Sequence, residues 1–134
     1  LKSATWENIF SKLDFILSSH AVDIDARSTL DHIPQKQYPG HALAVEFYKS
    51  GGVRTCEIGS VMFGRWDPET KQKIPSSMEL LRMALPRRTH TQSHIDYVLE
   101  VAKEVLERKK KIRGLKITHQ PPFLRHFTAG FEPL

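Results

Sequence analysis

The chain has 134 residues and is 40% apolar, which is enough to build the core of one ordinary domain. Its 20 basic and 15 acidic residues give a net charge of +5, which would suit an anionic partner such as nucleic acid, a phosphate or a carboxylate. No apolar run reaches the roughly 20 residues of a membrane span and no leader opens the chain, so we expect a soluble protein of the cytoplasm or another reducing intracellular compartment. Cys56 has no second cysteine to pair with, and we expect it to be a small buried residue.

The first part of the chain predicts a helix and then a strand. Apolar residues recur at spacings of three and four over residues 4–18, which is typical of an amphipathic helix. HAVDIDA then alternates, with Val22 and Ile24 on one side and Asp23 and Asp25 on the other. This alternation predicts a half-exposed strand.

The next stretch predicts a loop, a helix and a strand. The two prolines of DHIPQKQYPG indicate a loop, and Pro39 stands where a first helical turn tolerates it, ahead of HALAVEFYKS. Gly51 and Gly52 are expected to end this helix. VRTCEIGSVMF is typical of a strand, and GRWDPETKQK of a polar turn.

A strand and the longest helix are predicted in the second half. MELLRMALP favours a helix by propensity, but its flanking prolines leave room for only about ten residues, so we interpret it as a strand. Residues 95–106 carry a clear apolar helical face, with Ser93 and Asp96 as a capping box and Gly114 as a stop.

The last two predicted strands are LKITH and FLRHFTAGF. In the second strand Arg125 would share a face with Phe123 and Phe127, while His126 would lie on the other face. Burying such groups is costly unless they are paired, so we expect something polar to meet this strand. The order of elements predicts an α+β fold, with helices covering one face of a mainly antiparallel sheet.

The usual catalytic and metal-binding patterns are weak in this sequence. His90 and His94 have helical ligand spacing but lack the glutamate of a metalloprotease, so no metal site is predicted. Ser93, His94 and Asp96 are too close in sequence to act as a hydrolase triad on one atom. The basic cluster of Lys109–Lys111 and Arg113 lacks interleaved aromatic residues, which does not favour a nucleic-acid interface.

Arg82 is the most informative single residue. It lies between apolar neighbours in LLRMALP, and its planar fork is suited to grip a carboxylate through two parallel bonds. On the residues alone, a structural ion pair with a local residue such as Glu79, or a solvated arginine on the outer face, is the favoured explanation.

Several blocks of the sequence occur together in one family. EIGSVMFGR, MELLRMALPRRTHTQSHIDYVLEVAKEV, IRGLKI and PPFLRHFTAGFEPL resemble the C-terminal part of the β-eliminating lyases, the family of tryptophanase and tyrosine phenol-lyase. HAVDIDA and HIPQKQYPGHALAVEFYKSGG resemble the segment just before it. The resemblance implies a tryptophanase-like C-terminal domain over residues 20–134, after an unmatched N-terminal helix over residues 1–19.

The family resemblance implies a fold and a division of labour. Family members are pyridoxal-phosphate enzymes of the aspartate-aminotransferase fold (fold type I), in which a large domain holds the cofactor on a lysine. The chain resembles the small C-terminal domain, which closes over the substrate, and none of its eleven lysines matches the Schiff-base lysine. We therefore expect it to bind no cofactor, to hold no catalytic residue and to be inactive alone, with the large domain or other chains of an assembly as partners.

The resemblance also implies substrate-binding residues. Arg82 matches the arginine that grips the α-carboxylate, and His126 matches a position near the aromatic leaving group that is His in tryptophanases and Phe in phenol-lyases. Ile58 stands where phenol-lyases carry an arginine, so both choices indicate cleavage of L-tryptophan to indole, pyruvate and ammonia. Phe127 would help to wall the cleft, and Arg125 would pair with the neighbouring domain.

Departures from the family pattern leave a second hypothesis open. Asp23 takes a position that is commonly apolar or aromatic in the family, and Gly130 replaces a basic residue. A non-catalytic interaction or scaffold module derived from this domain, and part of a larger assembly, is the alternative. Either way, a small domain without its large partner is expected to expose apolar surface and to self-associate.

Overall fold

The computed structural model describes residues 20–86 and 88–134 and the backbone of residues 15–17. Strands and helices follow one another along these residues, and the predicted α+β class is confirmed. The strands are β1 (Phe15–Leu17), β2 (Ala21–Asp25), β3 (Cys56–Ile58), β4 (Arg65–Trp66), β5 (Lys73–Ile74), β6 (Leu80–Ala84), β7 (Leu115–His119) and β8 (Gly130–Pro133). The helices are α1 (Ala26–Thr29), α2 (Pro39–Gly51), α3 (Ser60–Phe63), α4 (Gln92–Glu107) and α5 (Arg125–Thr128), with short 3-10 helices at Gln35–Gln37 and Lys109–Lys111.

A four-stranded antiparallel sheet with strand order β1-β2-β6-β3 forms the centre of the domain. Val22 is paired with Met83 and Ile24 with Leu81, so these four apolar side chains share one face. The residues between them in sequence point to the opposite face, which is therefore free to carry polar groups. The strands β4 and β5, and the strands β7 and β8, form two further antiparallel pairs.

Helices α2 and α4 cover the apolar face of the sheet. Leu43 and Phe47 of α2 are spaced by four residues and pack with Leu99 and Val105 of α4 in one core cluster. The cluster also contains Leu81 at the middle of β6, which is fully buried. None of the described helices has the length and apolarity needed to cross a membrane.

Several predicted elements are confirmed. MELLRMALP contains β6, Pro39 begins α2, and residues 95–106 lie within α4. Gly52 ends α2 with φ of 65°, a left-handed conformation that suits glycine. LKITH is β7.

The predicted ends of α4 are wrong. Thr91 is the N-cap, and its backbone N–H donates to Nδ1 of His94 at 3.1 Å, so the box is formed by this pair rather than by Ser93 and Asp96. The helix ends at Glu107, well before Gly114, because the lysine run continues as a 3-10 helix.

Two strand predictions and one helix prediction fail in part. The helix predicted over residues 4–18 is wrong at its end, since Phe15–Leu17 is a strand, and residues 4–14 lie outside the described residues. Strand β2 is not half-exposed, because Asp23 is only 4% exposed beneath its neighbours. VRTCEIGSVMF is a strand only over Cys56–Ile58 and then turns into α3.

The prediction that FLRHFTAG is a strand is wrong. Leu124 has φ of 53°, a left-handed conformation that ends any extended run, and α5 begins at the next residue. The strand starts only at Gly130. The alternating pattern therefore misleads, because Arg125 is held by contacts that are distant in sequence.

Truncating the buried centre of the sheet should destabilise the domain. Leu81→Ala removes a fully buried side chain from β6 and should lower the free energy of unfolding by about 2–5 kcal/mol, through lost burial and the cavity left behind. Leu134→Ala is the matched control, since that leucine is 48% exposed, and it should cost far less. Urea unfolding of both variants measures the difference, and equal losses would contradict the assigned core.

Candidate functional site

The polar face of the central sheet carries a bidentate ion pair. Asp23 of β2 is paired in register with Arg82 of β6. Nε of Arg82 donates to Oδ1 of Asp23 at 2.7 Å, and Nη2 donates to Oδ2 at 3.0 Å. This hydrogen bond, with the charge of Asp23, raises the pKa of Arg82, so the guanidinium stays charged. Arg82 is thus paired with Asp23, and the proposed partnership with Glu79 is wrong.

The ion pair does not use the whole of the Arg82 fork. A guanidinium has five N–H donors, and Asp23 engages only the side formed by Nε and Nη2. The Arg82 side chain is 42% exposed, whereas the Asp23 side chain is 6% exposed. The buried aspartate therefore fixes the arginine from one side, and Nη1 has no hydrogen bond to a group of residues 20–86 or 88–134.

Ile58 and Cys56 lie on the same sheet face as Arg82. Cys56 is directly paired with Arg82 and Ile58 is paired with Leu80, so Ile58 is a diagonal neighbour of Arg82 at about 7–8 Å. Cys56 is exposed, and the expectation that it is buried is wrong. It sits on an edge strand, where the side chain is not covered by another strand within the described sheet.

His126 and Phe127 lie on α5, which is attached to α3 by Arg125. The guanidinium of Arg125 donates to the carbonyl oxygens of Val61 at 2.5 Å and Ser60 at 2.7 Å, and also to that of Gly64. These are carbonyls at the end of a short helix, where a cation is favourable. Arg125 thus meets polar groups of its own domain, in keeping with the polar contact expected for FLRHFTAG, and its pairing with a neighbouring domain stays a prediction.

The two aromatic rings of α5 contact each other at an interplanar angle of 47°. The ring centroids of His126 and Phe127 lie 4.1 Å apart, and Phe127 is 76% exposed. Because α3 follows Ile58 after one glycine, α5 is docked next to the end of β3. Within the described residues no hydrogen bond or ion pair joins His126 to Arg82.

Two buried glutamates hold the other end of α3. Glu57 is 7% exposed and accepts hydrogen bonds from the backbone N–H groups of Val61 at 3.1 Å and Met62 at 3.3 Å. Glu79 is 1% exposed and accepts from the N–H of Ser60 at 2.9 Å and from its hydroxyl. Carboxylates thus satisfy the free N–H groups at the helix start, while Arg125 satisfies carbonyls at its end.

The two carboxylates face one another across Gly59. A Cβ atom at Gly59 would lie 2.5 Å from Oε2 of Glu79 and 2.6 Å from Oε1 of Glu57, so only glycine fits there. Burial raises the pKa of Glu57 from 4.5 to about 7, and the charge of Glu79 adds to this effect. Burial also raises the pKa of Glu79, against the hydrogen bonds from Ser60 and Gln35. Like-charged groups this close favour sharing a proton.

Sequence reasoning missed Asp23, Glu57 and Glu79 as parts of this site. The alternation of β2 draws attention to Asp23, but its pairing with Arg82 depends on the register of the two strands. Each glutamate lies within a segment predicted as a strand, and only the close approach at Gly59 shows that the two form a pair.

The histidine pair considered for metal binding has a structural role. The ring centroids of His90 and His94 lie 5.7 Å apart, and His94 takes part in the cap of α4. Across residues 20–86 and 88–134, no three His, Cys, Asp or Glu side chains are grouped as ligands for a metal ion.

Fold and site define a small α+β domain that presents an arginine on one face of an antiparallel sheet and carries a short aromatic helix docked on α3. Comparison with known proteins then shows what the chain is similar to. The chain is 54% identical to the tryptophanase of Hyphomonas neptunium over 115 residues, covering 86% of this chain and 25% of that protein. It is 53% identical over 115 residues to the tryptophanase of Rhodobacter capsulatus, with the same coverage.

A more distant relative gives the same result. Identity to the tryptophanase of Escherichia coli O157:H7 is 49% over 113 residues, covering 84% of this chain and 24% of that protein. No protein-family model matches the chain. The chain spans about a quarter of the length of the curated relatives that it matches. The predicted resemblance to a tryptophanase-like C-terminal domain is confirmed.

The buried carboxylates should make stability depend on pH. A folded-state pKa of about 7 for Glu57 means that the folded protein binds this proton more tightly than the unfolded chain does. The free energy of unfolding should therefore fall as the pH rises from about 4.5 to 7, by up to about 3 kcal/mol for this group. Urea unfolding at pH 5 and pH 8 measures the change.

Glu57→Gln should flatten this pH dependence, because the amide does not titrate and can still accept one of the two backbone bonds. Glu104→Gln is the matched control, since Glu104 lies on the exposed side of α4 and should leave the dependence unchanged. Equal pH profiles for the parent chain and the Glu57→Gln variant would show that this glutamate is ionised in the folded protein.

Proposed function

We propose that the chain is the substrate-gripping domain of a tryptophanase-like β-eliminating lyase, which converts L-tryptophan to indole, pyruvate and ammonia together with a cofactor-bearing large domain. The observation that carries this proposal is the combination of 49–54% identity to tryptophanases with a partly exposed arginine that is held on one side by Asp23. The chain alone is proposed to be inactive, because it corresponds to about a quarter of its relatives.

Arg82 would bind the α-carboxylate of the substrate. Asp23 accepts from Nε and from one N–H of Nη2. The second N–H of Nη2 and an N–H of Nη1 point the same way and can donate two parallel bonds to a second carboxylate. Holding the guanidinium in place before the substrate arrives reduces the entropy lost on binding. In this role Arg82 orients the amino acid and takes no part in proton transfer.

Ile58, His126 and Phe127 would bind the aromatic side of the substrate. Ile58 offers an apolar surface on the face of Arg82, and the tilted ring pair on α5 offers one apolar ring beside one ring with polar nitrogens. Such a combination suits an indole ring, which has an apolar body and a single N–H donor. In this proposal the large domain closes over both α5 and Arg82, so that one substrate contacts both.

Pyridoxal phosphate is the cofactor proposed for the complete enzyme, and the described lysines do not fit its attachment. Every lysine in residues 20–86 and 88–134 is exposed or half-exposed, and several are paired with carboxylates on the surface. A Schiff-base lysine is typically desolvated so that its amine is nucleophilic. When bound to the partner domain, the cofactor would act as the electron sink for elimination. This chain would contribute orientation and exclusion of water.

The exposed apolar surface around α3 and α5 is proposed to contact the large domain. Phe63 is 56% exposed, Phe123 81% and Leu124 64%, and these residues lie on or beside the two joined helices. An exposed apolar patch of this kind marks an interaction site. Without the large domain, the same surface would favour self-association of the chain.

A second function, that of a non-catalytic interaction module, is favoured by the Asp23–Arg82 pair. Asp23 already supplies a carboxylate to the arginine at 2.7 Å and 3.0 Å. This neutralises the charge that would attract a substrate, so the domain could persist as a binding piece of an assembly without gripping an amino acid.

Complementation tests the lyase function. The chain is co-expressed with the cofactor-bearing three-quarters of a tryptophanase relative, and indole release is measured with pyridoxal phosphate present. We expect activity that falls at least tenfold in Arg82→Ala, mainly through a higher KM. Arg54→Ala, at an exposed arginine outside the sheet face, should leave activity unchanged. A complex that forms but releases no indole would favour the interaction module.

Replacing Asp23 tests how far it weakens the grip of Arg82. Asp23→Asn keeps an oxygen that can accept from Nε but removes the negative charge next to the substrate carboxylate. In the complemented complex we expect a KM for tryptophan that is several-fold lower, with little change in kcat, and a lower thermal stability of the domain. An unchanged KM would show that Asp23 does not compete with the substrate.

A further inference from the structure

A cavity of about 250 Å³ lies on the helical side of the domain, away from the residues proposed to bind substrate. It is bounded by α2, the end of α4, the chain that leads into β7, and the end of β8. Its lining residues are Ala42, Val45, Glu46, Lys49, Arg108, Lys111, Ile112, Arg113, Leu115 and Pro133. None of the residues proposed to bind substrate is among them.

The walls of this cavity carry an excess of positive charge. Four cationic side chains line it, Lys49, Arg108, Lys111 and Arg113, against the single carboxylate of Glu46. Glu46 is shared, since Nη1 of Arg108 lies 3.2 Å from Oε2 and Nζ of Lys49 lies 3.4 Å from Oε1. Concentrating like charges in a concave site with low-dielectric walls focuses a field that attracts anions.

Some of the positively charged groups that line the cavity have no acceptor in the described part of the chain. Lys111 and Arg113 form no ion pair with a carboxylate of residues 20–86 or 88–134. Nε of Arg108 is buried and finds no acceptor among the same residues, although its two terminal nitrogens bond to Glu46 and Ser50. A buried donor without an acceptor is rare in a folded protein and calls for a partner.

The cavity also has an apolar wall. Ala42 is 2% exposed, Ile112 6% and Leu115 7%, and the half-buried Val45 lies beside them. Small-molecule sites combine such apolar lining with a few polar groups that fix orientation, in cavities of about 300–1,000 Å³ for drug-sized ligands. A cavity slightly below this range is suited to a ligand with one ring or a short chain.

We propose that this cavity binds a small organic anion, with its anionic group on Arg113, Lys111 and Arg108 and its apolar part on Ala42, Ile112 and Leu115. A phosphate or carboxylate oxygen would accept charge-assisted hydrogen bonds from the cations. The proposal is independent of lyase activity, because none of the lining residues belongs to the proposed substrate site. A nucleic-acid strand is less well matched, since no aromatic residue lines the cavity for stacking.

Binding of phenyl phosphate to the full chain tests this site. A titration followed by ¹⁵N–¹H correlation spectra in 150 mM salt should show saturable shifts at the backbone signals of Ala42, Val45, Ile112 and Leu115. Inorganic phosphate should bind at least several-fold more weakly, because it lacks the apolar part. Equal affinities for the two probes would overturn the proposal of an organic ligand.

Variants distinguish binding in the cavity from attraction to the overall positive charge of the surface. The double variant Lys111→Gln with Arg113→Gln should weaken phenyl phosphate at least tenfold, while its melting temperature stays close to that of the parent chain because both side chains are exposed. Lys103→Gln removes a cation from the outer side of α4 and is the matched control, expected to leave the affinity unchanged. Equal weakening in the control, or shifts centred outside the cavity, would overturn the proposal. So would stronger binding of a uridine oligonucleotide to the same residues.

Discussion

The close approach of two buried carboxylates at Gly59 is the constraint on which the rest of the site depends. Glu57 lies in β3 and Glu79 directly precedes the neighbouring strand β6, and both bind N–H groups of one short helix, α3. This fixes the direction of the chain after Ile58, and Arg125 then docks α5 on the carbonyls of the same helix. A single-turn helix is too short to be stable alone, so these side-chain bonds at its two ends determine its place. The positions of Ile58 and of the aromatic helix therefore share one origin.

The two faces of the central sheet carry buried carboxyl groups in different surroundings. On the apolar face of the sheet, Glu57 and Glu79 are nearly inaccessible, and burial raises the pKa of both carboxyl groups. On its polar face, Asp23 is buried but paired with a charged arginine, and the partner compensates for its lost solvation. The two faces therefore differ in what binds the buried carboxyl groups. Backbone N–H groups of α3 bind Glu57 and Glu79, whereas a charged arginine whose side chain is 42% exposed binds Asp23.

An element could be predicted from the sequence when the interactions that determine it lie between residues close together in the chain. The pattern of β6 is bounded by prolines and that of α4 repeats over several turns, so short-range rules suffice for both. FLRHFTAG fails because its arginine bonds to carbonyls about sixty residues earlier, a contact that no local pattern encodes. The predicted exposure of Asp23 is wrong for the same reason. The alternation in β2 is correct, but the pairing of Asp23 with Arg82 depends on the register of two strands that are distant in sequence. In both cases the local rule identifies a polar group that needs a partner, and only the fold supplies the partner's identity.

The two proposed ligand sites lie on opposite sides of one packed core, and this limits how they can communicate. Leu81 and Met83 lie on the core face of the strand that carries Arg82, and Ala42 and Leu115 of the cavity wall belong to the same core cluster. A close-packed core transmits a change only if it has a second arrangement whose stability differs between the free and bound states. Filling a cavity that already exists does not by itself require such a rearrangement. An anion in the cavity is therefore expected to stabilise the folded domain through mass action. It changes the affinity of Arg82 for a carboxylate only if α2 shifts against β6.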